Sequence, residues 1–102
     1  MSEQQSSPQL TLQRVAQVKT PQGSKYLLRL CKHFAHRVSA DWDENRGNIC
    51  FAGGTCTLQA DASGLQMICS AESEQELMEI VDTMDRHFIR FAKAEAPELI
   101  WQ

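Results

Sequence analysis

Between Val38 and Ala71 apolar and polar residues alternate almost without interruption, and no other stretch restricts the possible folds so tightly. Val38, Ala40 and Trp42 alternate with Ser39, Asp41 and Asp43, and Ile49 and Phe51 open a returning segment. Cys56, Leu58 and Ala60 oppose Thr55, Thr57 and Gln59, and Leu65, Met67, Cys69 and Ala71 complete the series. A period of two places one set of side chains on a dry face and the other in water, as in a strand covered on one side. Asn45-Arg46-Gly47 and Asp61-Ala62-Ser63-Gly64 punctuate the series as turns, with Gly47 read as the source of a positive φ. Gly53-Gly54 reads as a bulge or bend inside the second strand. Such short links between alternating segments demand antiparallel pairing.

A sheet with one apolar face needs a cover, and the chain supplies two amphipathic helices. Ser73-Glu74-Gln75-Glu76 is a capping box, followed by Leu77, Ile80, Val81, Met84, Phe88, Phe91 and Ala92 at helical spacing. Acidic residues crowd the first turn and Arg86, Arg90 and Lys93 the second half, as the helix dipole favours; Pro97 ends the segment. Upstream, Thr20-Pro21 reads as an N-cap and first helical position, and Leu27, Leu30, Cys31 and Phe34 form the stripe of a helix reaching about His36. Leu10, Leu12, Ala16 and Val18 suggest a leading strand, and Leu99-Ile100-Trp101 a short closing one. The order β-α-β-β-β-α-β predicts a single α+β domain over residues 9–102, a curved antiparallel sheet of four to five strands with both helices packed on one face. Residues 1–8 read as a disordered polar tail.

Ten basic against thirteen acidic residues give a net charge of −3, which argues against general nucleic-acid binding. No apolar run approaches the ~20 residues of a membrane span, and the polar start lacks a signal-peptide pattern. The expected location is therefore the cytoplasm, with Cys31, Cys50, Cys56 and Cys69 reduced and the protein a monomer or homodimer. No Cys-x-x-Cys pair, Gly-x-Ser-x-Gly elbow, His-Glu-x-x-His or dinucleotide fingerprint occurs, so the pattern leans away from an enzyme.

Chemistry-bearing residues concentrate in Cys31-Lys32-His33-Phe34-Ala35-His36. His87 lies on the edge of the apolar face of the second helix, near Met84 and Phe91. With the helices side by side, His33, His36 and His87 could converge with Cys31 or Cys56 on zinc or iron. The plainer alternative makes the cysteines small core hydrophobes and the histidines rim residues hydrogen-bonded to backbone. Arg86, Arg90 and Lys93 line one helical edge and form a candidate surface for an acidic partner, where a solvated face is the default. A cysteine nucleophile with a histidine base would require a thiol within hydrogen-bond reach of an imidazole.

Three segments, Tyr26-Leu27-x-x-Leu30-Cys31-x-His33-Phe34-x-His36, Gly54-x-Cys56-x-Leu58 and His87-x-x-Arg90-Phe91-Ala92, together with the closing Trp101, resemble an uncharacterised family of small bacterial proteins, a domain of unknown function. The likeness spans roughly residues 10–102. It implies an association with iron–siderophore uptake, some members standing beside or fused to such proteins. The implication stops at that association and brings no activity, ligand or catalytic residue with it. The missing catalytic signature and the compact size suggest an accessory or interaction module, which by that association would have a protein partner in iron–siderophore metabolism. A metal- or small-ligand-binding protein is the alternative role.

Overall fold

The computed structural model describes residues 11–95 and 97–102. The expected tail over 1–8 lies outside them. The elements are β1 (Leu12–Lys19), α1 (Gly23–Phe34), β2 (Ser39–Trp42), β3 (Arg46–Phe51), β4 (Gly54–Asp61), β5 (Gly64–Ala71), α2 (Glu74–Phe91) and β6 (Ile100–Trp101). Every strand pairing is antiparallel, in the order β2-β3-β4-β5-β1-β6. The α+β class and the two-helix cover stand as expected, but the sheet has six strands rather than four to five. The additional strand arises at Gly53-Gly54, which is not a bulge: Phe51 pairs with Gly54, so Ala52-Gly53 is a two-residue hairpin loop.

Both helices lie on the face carrying Ala16, Val18, Ile49, Cys56, Leu58, Leu65, Met67 and Cys69, all at most 3% exposed. Into this face α1 presses Leu27, Leu30, Cys31 and Phe34, and α2 presses Leu77, Ile80, Met84 and Phe88. Gly47 is not a turn residue. It sits within β3 beneath α1, where a Cβ would lie 2.6 Å from Cys31 Sγ, so its contribution is room for the helix. The loop before it is shaped instead by Asp43, whose Oδ1 accepts from the backbone N–H groups of Asn45 (2.8 Å) and Arg46 (2.9 Å). Asp61 does the same for the β4–β5 loop, accepting from Ser63 Oγ (2.7 Å), Ser63 N (2.8 Å) and Gly64 N (3.0 Å). These bonds hold both carboxyl groups below their ordinary pKa.

The cap before α2 forms as its sequence suggests, Ser73 Oγ accepting from Glu76 N at 3.2 Å. The start of α1 differs. The helix begins at Gly23, and Thr20, instead of capping it, accepts from Gln22 N at 2.9 Å and donates to both oxygens of Glu95 at 3.0 and 2.9 Å. Tyr26 Oη donates to the same carboxylate at 2.5 Å. Burial, reinforced by Glu95, pushes that phenol up to about 12. A single carboxylate from the turn after α2 thus fastens the N-terminal end of α1.

Candidate functional site

α1 and α2 meet along a seam in which every contact follows from their facing stripes. Tyr26 meets Phe88 edge-on at 5.3 Å between ring centres. One to two turns further along α1, His33 meets His87 at 4.8 Å and Phe91 at 5.6 Å, while Phe34 packs on His87 at 4.8 Å and on Phe51 of β3 at 5.4 Å. Arg29 lies over the Phe91 ring with its guanidinium carbon 4.9 Å from the centre, a cation–π contact. The residues are placed by the helical period: Arg29, His33 and His36 flank the buried stripe of α1, and His87 and Phe91 flank that of α2.

His87 Nδ1 lies 2.7 Å from the carbonyl oxygen of Thr83, one turn earlier on α2. A carbonyl only accepts, so Nδ1 carries a hydrogen, and Nε2 is the ring nitrogen left for another partner. His33 is pushed below the usual imidazole pKa, first by desolvation and then by electrostatic repulsion from His87, His36, Arg90 and Arg37. On α2, Asp82 pairs with Arg86 at 3.0 Å, and Asp85 accepts from Trp101 Nε1 at 3.0 Å. Among the described residues no carboxylate forms an ion pair with Arg29, Arg37 or Arg90.

The residues singled out from sequence thus separate into two groups. His33 and His87 do come together at the helix seam, with His36 in the turn after α1 close enough to act on His33. Arg90 belongs to the same positive cluster and Lys93 is exposed beyond it, while Arg86 is held by Asp82. Cys31 and Cys56 lie apart, in the core between α1 and the sheet, each 0% exposed. Cys56 and Cys69 are cross-strand neighbours. The hydrogen bond to Cys69, with burial, raises Cys56, and burial aided by Asp41 pushes Cys31 up to about 11. Both thiols are protonated at neutral pH and suit the role of small core hydrophobes. Among the described residues no group of three or more His, Cys, Asp or Glu side chains is arranged to hold a metal ion.

One strong signal was present in the sequence and not used: residues 4–40 contain no Asp or Glu, yet hold six of the ten Lys and Arg. The fold turns that asymmetry into a surface, because α1 exposes Lys25, Arg29, Lys32 and His33, and Arg37 follows it. Leu28, 42% exposed, stands among them. The small overall charge of −3 conceals this patch.

The fold has a solved counterpart. The structure of PA4090 from Pseudomonas aeruginosa, determined by NMR, superposes with a TM-score of 0.75 at 30% identity, covering 88% of this chain and 94% of that one. None of the curated proteins matches this chain. Among the described residues no helix is long and apolar enough to cross a membrane. A family model described as an uncharacterised protein conserved in bacteria (DUF2218) matches residues 15–102, which include every residue of the seam, and the chain belongs to that family.

Proposed function

We propose that this protein is a non-catalytic accessory module of the bacterial cytoplasm that docks an acidic protein partner on the seam between α1 and α2. The observation that carries the reading is the packing of His33 on His87 and Phe91, with the Arg29 guanidinium over the Phe91 ring and Lys25, Lys32, Arg37 and Arg90 exposed on the same two helices and the turn after α1. Aromatic and arginine side chains around a partly desolvated centre are the usual composition of a protein-binding hot spot. The link to iron–siderophore metabolism rests on the family resemblance carried by Tyr26 to His36 and His87 to Ala92.

The test is capture from the lysate of a bacterium that encodes the protein, comparing the native chain with Arg37→Glu/Arg90→Glu. A partner retained by the native chain and lost on charge reversal is the expected result, and its affinity should fall as salt rises. Retention should strengthen as pH falls below the ordinary imidazole pKa. His33 is neutral at pH 7, and on acidification it adds a positive charge beside His87, His36, Arg90 and Arg37. Identical protein sets on both baits would overturn the docking role. A seam-specific partner with no part in iron handling would overturn the iron link alone.

A second reading has its own observation. Two imidazoles sharing one metal at Zn–N distances of about 2.0–2.1 Å place their ring centres about 5 Å apart, and His33 and His87 stand at 4.8 Å with Nε2 of His87 available. Zinc or ferrous iron would then be held by this pair alone, because among the described residues no third His, Cys, Asp or Glu is arranged to join it. Arg37 and Arg90 oppose a cation there, which is why the acidic partner ranks first. Calorimetric titration with zinc and ferrous iron decides: micromolar binding abolished by His33→Ala supports the metal, and none below the millimolar range retires it.

A further inference from the structure

The face of the sheet opposite the helices carries a regular polar row that the helix seam does not use. Strand register aligns Arg46 with Gln59, Gln59 with Gln66, Gln66 with Gln17, and Gln17 with Ile100. These residues therefore form one line running across β3, β4, β5, β1 and β6. A groove of about 820 Å³ lies over it, flanked by Asn45, Lys19, Asp61, Glu98 and the closing Gln102. A second depression of about 560 Å³ shares Arg46 and Gln59 and continues toward Asp41 and Trp42. Among the described residues no side-chain hydrogen bond joins Gln17, Gln59 or Gln66 to a neighbour, and each carboxamide carries an NH2 donor and a carbonyl acceptor along the groove.

Three properties select the ligand. The lining is balanced, Lys19 and Arg46 against Asp61 and Glu98, which favours an uncharged molecule over a phosphate-bearing strand. Carboxamides both donate and accept, matching hydroxyl groups, which do the same. The spacing is that of the sheet, about 4.8 Å between strands, comparable with the length of one pyranose ring. An extended peptide advances only about 3.3 Å per residue and falls out of step with the row. We propose that the Gln59–Gln66–Gln17 row is a binding site for a linear neutral oligosaccharide lying across the strands, about one sugar per strand. The volume is within the ~300–1,000 Å³ range of small-molecule sites.

The probes are maltotetraose, cellotetraose and the N-acetylated chitotetraose, each titrated into the full-length protein labelled with ¹⁵N. The expected result is saturable movement of the side-chain amide signals of Gln17, Gln59 and Gln66 for at least one of them, with the seam residues unmoved. Gln59→Ala/Gln66→Ala should weaken that binding at least about tenfold, the equivalent of one to two net hydrogen bonds. Both positions are solvent-facing, so the variant keeps its fold, checked by the unchanged spectrum of the core. No saturable movement with any probe up to its solubility limit overturns the proposal. So does equal binding by the double variant, or movement confined to the helix seam.

Discussion

Phe88→Ala is expected to cost about 3–5 kcal/mol of folding stability, the range for emptying a packed aromatic site. Phe88 is 1% exposed, in the last turn of α2, and meets Tyr26 of α1 edge-on at 5.3 Å. Its removal leaves a void bounded by two helices and a sheet that cannot collapse independently, since Tyr26 is itself tethered through Glu95. A domain of this size holds roughly 5–15 kcal/mol in all, so the variant would be close to unfolding at growth temperature. Each kcal/mol lowers Tm by about 4–8 °C at this chain length. Urea melts of the native chain, Phe88→Leu and Phe88→Ala check the claim. A Leu variant that loses less than half as much as the Ala variant is the expected order. An Ala variant within about 1 kcal/mol of the native chain, far below the cost of a buried cavity, would show that Phe88 does not hold the layers together.

Gly54→Ala should be worse for its size than any other single methyl group added to this chain. A Cβ at Gly54 would fall 2.1 Å from the carbonyl oxygen of Ser70 and 2.9 Å from Ile80 Cδ1. The first is backbone of the adjacent strand, fixed by the β4–β5 register, and it can retreat only by parting the two strands. Overpacking of this kind costs about 1–3 kcal/mol and sometimes more, here with the loss of ladder hydrogen bonds in addition. The neighbouring glycine supplies the control. A Cβ at Gly53 would meet only the side chain of Glu76, at 3.0–3.1 Å, and that side chain can swing aside. Thermal denaturation should therefore show a small change for Gly53→Ala and a large drop, or no folded protein, for Gly54→Ala. Equal effects would mean that the tight approach is not what selects glycine at position 54.

Most of the architecture was written in local pattern. Alternation over Val38–Ala71 gave the sheet its dry face, and the Ser73 cap and the stripe from Leu77 to Phe91 gave α2 with its start in register. What the pattern did not separate was a bulge from a tight turn at Ala52-Gly53. Both shift the alternation by one residue, moving the inward set from Ile49 and Phe51 to Cys56 and Leu58. Length was the missing argument: a strand from Ile49 to Ala60 would exceed the usual limit of about ten residues. Thr20 misled for a different reason. Its sequence neighbours suit a cap, but Glu95, far along the chain, takes its hydroxyl and leaves α1 to begin three residues later.

For the site, proximity of His33 and His87 followed from two amphipathic stripes packed on the same sheet face, which sequence could suggest. The cysteines shared their parity with the core, and that parity, rather than metal-like composition, governed where they went. The glutamine row was beyond reach, because it exists only once the register of four strand pairs is fixed. Register depends on tertiary packing and loop geometry together.

The strand order has a consequence for how the molecule comes into being. β2 to β5 are sequential hairpins, closing loops of two or three residues, whereas β1 pairs with β5 and β6, whose sequences come roughly half a chain and nearly a whole chain later. Short loops close at little entropic cost and long ones wait for a surface to dock on. Synthesis order and assembly order are therefore opposed: β1 is made before the hairpins yet is seated after them, between a neighbour already paired and another that follows α2. Until β1 docks, the edge of β5 stands open with its backbone unsatisfied, and the chain is most exposed to wrong pairing in that interval.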